Sequence, residues 1–345
     1  MSLPHDAARP GRRKLLAAAG AALALPFVGG ARAQGSGWPN RPVTFVVPFP
    51  AGGGTDAFAR PLTAVLTRSL GRQVIIDNRG GAGGTVGAGI AAKSAPDGYT
   101  FFMGAVHHTI APSMYPKLDY SLENDFVPVG LISSVPQVVV VNPQRVAATD
   151  LKSFLDYVRK NPGKLNYGYT HAASGHMAME LLKQRASECA KGQKDCNGFF
   201  IVGIPYRGGG PMLQDLLGGQ IPMMFINQDV ALQHVRAGKL RPLACSSLQR
   251  NPLYPDVPTV HESGFPNFQA LSWSGVSLIK GTPQPIVDRF EATMRKIMTS
   301  ADIKQKLESV GFVVPPPGAQ AYTQFVQGEI DLWTKVIKTA GIKPE

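Results

Sequence analysis

The sequence predicts an α/β protein built of two lobes, and three observations carry that expectation. Apolar runs of strand length alternate with segments of helical period along most of the chain, which is the pattern of βα units with largely parallel sheets. The 312 residues that follow position 33 exceed a single ordinary core of about 100–200 residues. No low-complexity linker and no fixed-period repeat divides the chain, so two lobes must be joined by segments that cross between them. Phe126–Asn142 and Leu240–Thr259, extended, proline-bearing and flanked by turns, fit that role.

Residues 1–33 read as an export signal rather than as part of the fold. Arg9, Arg12, Arg13 and Lys14 precede an apolar segment, Leu15–Val28, and Ala31-Arg32-Ala33 has the small-residue spacing of a cleavage site. The Arg12-Arg13 pair fits the twin-arginine route or the general secretory one. The apolar segment is shorter than the ~20 residues of a comfortable membrane span. A mature chain starting at Gln34 is therefore expected in the periplasm. Removing the leader leaves 30 Lys and Arg against 22 Asp and Glu, so the formal charge falls from +12 to +8. A surplus of this size favours anionic ligands or simply solubility. No Lys/Arg run with interleaved aromatics is present, which argues against nucleic acid as a partner.

In chain order, strands are expected at Val43–Val47, Val74–Asp77, Thr100–Met103, Val127–Ile132, Gln137–Val141, Leu165–Tyr169, Ile201–Ile204, Ile221–Ile226, Leu240–Ser246, Ser274–Leu278 and Phe312–Val314. These are short apolar runs, most of them bounded by Gly, Pro, Asn, Asp or Ser. Helices are expected at Asp56–Leu70, Gly84–Lys93, Leu151–Asn161, Ser174–Arg185, Gly209–Leu217, Asp229–Ala237, Pro283–Thr299, Ala301–Val310 and Gln320–Ala340. Asp150 before Leu151, Ser300 before Ala301 and Thr282 before Pro283 supply helix starts. The last helix carries Tyr322, Phe325, Val326, Ile330, Trp333 and Ile337 at helical spacing, a stripe that reads as core. Cys189 and Cys196 sit in a polar stretch and fit a short disulfide loop in an oxidising compartment, whereas Cys245 reads as a buried free thiol. The four-ligand spacing that zinc needs is absent, and no metal is expected.

Chemistry is expected where strands hand over to helices. Pro48-Phe49-Pro50-Ala51-Gly52-Gly53-Gly54-Thr55 follows the first strand, and its glycines expose backbone N–H groups at a helix N-terminus, where an anion can dock. Asp56 would repel that anion and reads as a structural cap. Gly80-Gly81-Ala82-Gly83-Gly84 repeats the device after the second strand, and loops at the same edge of a parallel sheet can converge. A third loop, Tyr169-Thr170-His171-Ala172-Ala173-Ser174-Gly175-His176, offers hydroxyls in the other lobe. Further loops carry Tyr206-Arg207-Gly208 and Asn227-Gln228-Asp229.

Several readings fall away. Gly52-x-Gly54-x-x-Ala57 mimics a dinucleotide fingerprint, but Pro48–Ala51 separates strand from glycines where a tight turn is required. The glycines lead into Thr55-Asp56 rather than Lys-Ser/Thr, so no phosphate-cradling P-loop forms. No G-x-S-x-G pentad occurs, and no carboxylate dyad stands out. His107-His108, His171 and His176 read as hydrogen-bonding pocket walls. Ser174 with His171 or His176 is the sole candidate nucleophile–base pair, and it lacks an orienting acid. An exported carboxylate-acting enzyme, or a ligand sensor for a membrane receptor kinase, remains the alternative function.

Taken together, VPFPAGGGTDAFAR (47–60), VIIDNRGGAGGTVGA (74–88), APDGYTFFMG (95–104), IPYRGGGPMLQDLLGGQIPMMF (204–225), AGKLRPLA (237–244) and PDVPTVHESGFPNF (255–268) resemble the Bug (TctC-type) family of extracytoplasmic solute-binding proteins of tripartite tricarboxylate transporters. The resemblance covers nearly the whole mature chain. It implies a two-lobed, periplasmic-binding-protein-like fold of the type II kind, with a ligand cleft between lobes and two crossing strands. The lobes would be residues 34–133 plus 256–345 and residues 134–255. It further implies a monomeric, non-catalytic receptor without cofactor, which takes a dicarboxylate, aromatic acid or amino acid and delivers it to membrane transporter subunits. Mapped onto this chain, the ligand-binding positions are Phe49, Ala51, Gly52, Gly53, Gly54 and Thr55; Gly81, Ala82, Gly83 and Gly84; and Thr170, Ala173 and Ser174, with Tyr206 and Asn227 from neighbouring loops. His107, His108 and His171 are expected to choose among ligands through a second polar group.

Overall fold

Nine strands join in one mixed sheet in a computed structural model that describes residues 37–51, 54–188, 199–309 and 311–344. The expected leader, Gly52, Gly53 and the Cys189/Cys196 pair lie outside the described residues. Residues 39–345 form one compact unit. The strands are β1 (Val43–Val47), β2 (Val74–Asn78), β3 (Thr100–Ala105), β4 (Phe126–Val141), β5 (Asn166–Thr170), β6 (Val202–Tyr206), β7 (Met223–Asn227), β8 (Arg241–Cys245) and β9 (Leu271–Ile279). Their order is β2-β1-β3-β9-β4-β7-β5-β6, with β8 on β4.

The pairings correct the expectation of largely parallel sheets. β1 pairs parallel with β2 and β3, and β5 pairs parallel with β6 and β7. β4 and β9, however, pair antiparallel with each other and with every other neighbour. The parallel ends are the parts linked by crossover helices, which parallel pairing demands. β4 runs without a break across the middle: residues 126–136 pair with β9, while residues 137–141 pair with β7 and β8. The two runs expected at Val127–Ile132 and Gln137–Val141 are thus one strand. Register shifts at Pro128/Gly130 and Leu131/Ser133 absorb Pro128, which cannot donate to a ladder.

The helices are α1 (Gly54–Leu70), α2 (Thr85–Ala92, preceded by a 3-10 turn at Ala82–Gly84), α3 (Val106–Met114), α4 (Leu151–Lys160), α5 (Ser174–Ser187), α6 (Gly209–Leu217), α7 (Gln228–Arg236), α8 (Gln284–Met298), α9 (Ala301–Ser309) and α10 (Ala319–Ala340). Asp150 caps α4 as expected, accepting the Ser153 N–H at 2.7 Å. The expected strand at Phe312–Val314 shrinks to a single bridge, Val313 to Ser134. The α10 stripe is core: Tyr322, Trp333 and Ile337 are buried. Cys245 is a free, fully buried thiol whose pKa burial pushes up to about 12. No helix among the described residues is long and apolar enough to cross a membrane.

Candidate functional site

A cavity of about 560 Å³ lies where the two halves of the sheet meet. The first half supplies Phe49, Thr55 and Phe58 after β1, and Ala105–His107 after β3. The second half supplies Tyr169–His176 after β5, Gly208–Leu213 after β6 and Met224–Asn227 on β7. All these segments lie at the carboxyl ends of strands, where open α/β sheets bind ligands. The first turns of α1, α3, α5, α6 and α7 therefore line one space. At Ala173, Gly208 and Asn227 no side chain caps the helix start, whereas at Ala105 the His108 side chain takes the first N–H and leaves the following ones uncapped. Uncapped first turns present unpaired N–H groups and the positive end of the helix dipole. No Lys, Arg, Asp or Glu is among the described lining residues.

One polar cluster forms on this wall. Gln137 is the residue at which β4 changes partners, and its side chain is 1% exposed. Its Nε2 donates to Ser174 Oγ at 3.1 Å, to Ser272 Oγ at 2.9 Å and, in a shorter contact, to Asn227 Oδ1. Ser272 Oγ donates to Asn227 Oδ1 at 2.9 Å and lies 2.9 Å from Ser174 Oγ. An amide nitrogen has two hydrogens for these three acceptors, and the Ser272 hydroxyl proton is committed to Asn227, so the Ser174 hydroxyl proton is the one that can turn from Ser272 to an incoming acceptor. Gly175 allows the close approach: a Cβ there would sit 2.8 Å from the Phe225 carbonyl oxygen.

The remaining walls are aromatic and apolar. Phe49 packs on His107 with centroids 4.8 Å apart, and Tyr169 stacks on His176 at 4.3 Å. Burial lowers His107 to about 4 and His176 to about 3, so both imidazoles are neutral near pH 7. Their Nδ1 atoms, like Thr170 Oγ1, are sealed from solvent without a hydrogen-bond partner in the protein. Behind the cavity, Trp273 donates its indole N–H to Glu329 at 2.9 Å, and Trp333 donates to the same oxygen at 2.9 Å. Burial pushes the Glu329 carboxyl up to about 7, against the opposing pull of the two indoles.

Of the residues expected from the sequence, Phe49, Thr55, His107, Thr170, Ala173, Ser174 and Asn227 line this cavity. The structure places Ala51, Gly81–Gly84, His108, His171 and Tyr206 off its wall. Gly84 lies behind Phe49, with Phe49 Cζ 2.9 Å from where its Cβ would be, and Gly80 abuts Pro50 at 2.9 Å. The second glycine loop thus buttresses the first. His108 is fully buried, and its Nδ1 accepts the Ala105 N–H at 2.9 Å. Tyr206 donates to Asp215 at 2.7 Å. Asp56 is structural as expected: it is buried, paired with Arg60 at 2.6 Å and accepts from Asn78 at 3.1 Å. Gln137, Phe58, Ser272 and Ser274 are missed by sequence reasoning. The one visible signal of Gln137, Ser272 and Ser274 is polarity inside apolar strands, at Pro136-Gln137-Val138 and Ser272-Trp273-Ser274, and Phe58 has none beyond its place near the start of α1.

Curled mixed sheet, flanking helices and a cleft at the strand ends define a periplasmic-binding-protein-like α/β fold. The chain belongs to the family described as tripartite tricarboxylate transporter family receptor, TctC, which matches residues 58–342. It is 35% identical to the UPF0065 protein of the tcbD-tcbE intergenic region of Pseudomonas sp. strain P51, over 96% of this chain and 95% of that one. Among solved structures it resembles R. palustris Rpa4515 with adipate, with TM-score 0.77 and 34% identity over 89% of this chain and all of that one. It also resembles MatC from Rhodopseudomonas palustris with bound malate, with TM-score 0.72 and 34% identity over 87% of this chain and all of that one.

Proposed function

We propose that this protein is an exported receptor that captures a small organic carboxylate and delivers it to the membrane subunits of a tripartite tricarboxylate-type transporter. The observation that carries the reading is the convergence of helix starts from both halves of the sheet, those at Ala173, Gly208 and Asn227 without a capping side chain, on one cavity with no charged side chain among its described lining residues. N–H groups and helix dipoles can replace the water lost by a carboxylate. The relatives solved with adipate and malate support a carboxylate as cargo.

On this reading the anion sits against Ser174, Asn227 and the first turns of α5 and α7, facing Phe49 and Thr55. Residues 34–133 with 256–345 move against residues 134–255, and bound ligand favours the closed arrangement by its greater affinity for it. The protein works as a periplasmic monomer once the leader is removed. On this reading it is a receptor and not an enzyme, which the pairing of Ser174 Oγ with Gln137 and Ser272 rather than with a histidine supports.

Titration calorimetry on ligand-free mature protein tests the capture step. Adipate and malate are each compared with the matching diamide, and unchanged ligand is recovered and weighed by mass spectrometry. Acids should bind one to one and be recovered intact. Equal binding of the neutral amides, or turnover, overturns the reading. For delivery, deleting the receptor should abolish uptake of the bound acid in cells that retain the membrane subunits.

A further inference from the structure

We propose that the receptor captures its anion together with a proton, and that Glu329, one indole behind the cavity, is the site that holds it. The inference rests on the carboxylate reading above and adds a second, coupled ligand to it. Trp273 lines the cavity between Ser272 and Ser274. Its indole N–H donates to Glu329 Oε2 at 2.9 Å, and the Trp333 indole donates to the same oxygen at 2.9 Å. Both donors are neutral. Among the described residues they are the groups that draw the carboxyl towards its charged form, and no cation does so. The elements around α10 explain why. β4 and β9 carry no titratable side chain. α3 brings His107 and His108, both neutral near pH 7 through burial. α5 brings His176, which burial also keeps neutral, and the cations Lys183 and Arg185, paired with Glu180 at 2.8 Å and Glu188 at 3.6 Å. On α10 itself Asp331, Lys335 and Lys338 are exposed, and burial pushes the Tyr322 phenol up.

A carboxylate buried without a cation is an uncompensated charge, so it keeps its proton to higher pH than it would in water. Burial accordingly pushes Glu329 up to about 7. An anion arriving at Ser174 and Ser272 puts a second negative charge on the near side of the same indole. Two like charges one indole apart repel by more than thermal energy even at an effective dielectric of about 20. Protonating Glu329 removes that repulsion. By linkage, the bound anion raises the affinity of Glu329 for its proton, and the bound proton raises the affinity for the anion by the same factor. The proton comes from solvent as the anion enters and returns to solvent as it leaves. Capture therefore weakens as the pH rises through 7. The wall histidines His107 and His176 are neutral throughout that range and do not carry the effect.

The test is calorimetry on ligand-free mature protein with adipate, malate and phenylacetate, run at pH 7.5 in HEPES and in Tris. The difference in apparent enthalpy between the two buffers counts the protons taken up. For the acid that binds best we expect uptake of roughly half a proton per anion, and a Kd about fivefold or more higher at pH 8.5 than at pH 6.5. In Glu329→Gln the uptake should vanish and the Kd ratio should fall towards one, with affinity at pH 6.5 held within about threefold. No uptake by the native protein, or the same uptake by the variant, overturns the inference and leaves the carboxylate reading standing. Binding by none of the three acids overturns both. A second measurement needs no variant: the tryptophan emission of the native protein is titrated between pH 5.5 and 8.5. Its midpoint should lie near 7 without ligand and move upward with saturating acid. A midpoint that the acid leaves in place overturns the coupling.

Discussion

Glu329→Gln isolates the one buried carboxyl that supports the cavity from behind. Glu329 on α10 is 8% exposed and accepts both the Trp273 and Trp333 indoles on one oxygen. Its pKa rises from 4.5 to about 7 because burial penalises the charged form. The native carboxyl therefore holds its proton more tightly than the unfolded one. Its contribution to stability is full below about pH 4.5 and is lost as pH rises through about 7. Ionising it at pH 8 costs about 3 kcal/mol relative to a solvated carboxyl. Gln keeps an oxygen for both indoles and resembles the protonated acid. Urea unfolding of the mature protein at pH 5 and pH 8 reads the difference. We expect the variant to be more stable by about 1 kcal/mol at pH 5 and by about 3 kcal/mol at pH 8. An offset of the same size at both pH values, or a less stable variant at pH 8, refutes the argument that desolvation dominates at this site.

His107, His108 and His176 are all pushed down by burial, to about 4, about 4 and about 3. Their stabilisation is full above pH 6.5 and is lost as pH falls, so at pH 5 each is worth about 2 kcal/mol less; unfolding of Glu329→Gln, which lacks the opposing carboxyl, should show it as a steady fall from pH 7 to 5. Gly275→Ala puts a Cβ 2.3 Å from the Tyr322 ring, and the overpacking should cost about 1–3 kcal/mol by urea midpoint, relieved in part by adding Tyr322→Leu. Gln137→Leu strips partners from Ser174, Asn227 and Ser272; it should lower stability by about 1–3 kcal/mol and weaken the best-binding acid by calorimetry. Gly175→Ala forces α5 away from the Phe225 carbonyl and should weaken the same acid about tenfold or more.

The first strand, its glycine-bearing loop and the helix after it were legible because local signals agree there: a run of β-branched residues, prolines, glycines, then an amphipathic stretch. α3 was not. Val106–Met114 contains His107, His108 and Thr109, has Pro112 inside it and is mostly buried, so neither propensity nor an amphipathic stripe marks it as helix. Gln137 is an ordinary glutamine until β4 is seen to exchange β9 for β7 and β8 at that residue. The second glycine loop shows a deeper limit. A glycine is needed wherever another backbone comes close, and a ligand and a neighbouring loop make the same demand on the sequence. Gly80 and Gly84 meet Pro50 and Phe49, a distinction that three-dimensional placement alone makes.

The absence of cations from the described cavity wall suits a receptor that must let go. A bidentate Arg would hold a carboxylate through strong charge-assisted bonds and slow its release. Helix starts instead offer roughly half a positive charge each. Here they come from both halves of the sheet: α1 and α3 on one side, α5, α6 and α7 on the other. Without an anion these like-signed ends repel across the cavity and oppose the proposed closure. An anion between them converts repulsion into attraction on both sides, so occupancy and closure are coupled by the same few N–H groups. Opening the closed form then breaks several weak contacts in turn rather than one strong one. Small-angle scattering should therefore show a smaller radius of gyration with a bound carboxylate than without, and no contraction with its neutral amide; equal contraction by both would assign closure to apolar contact instead.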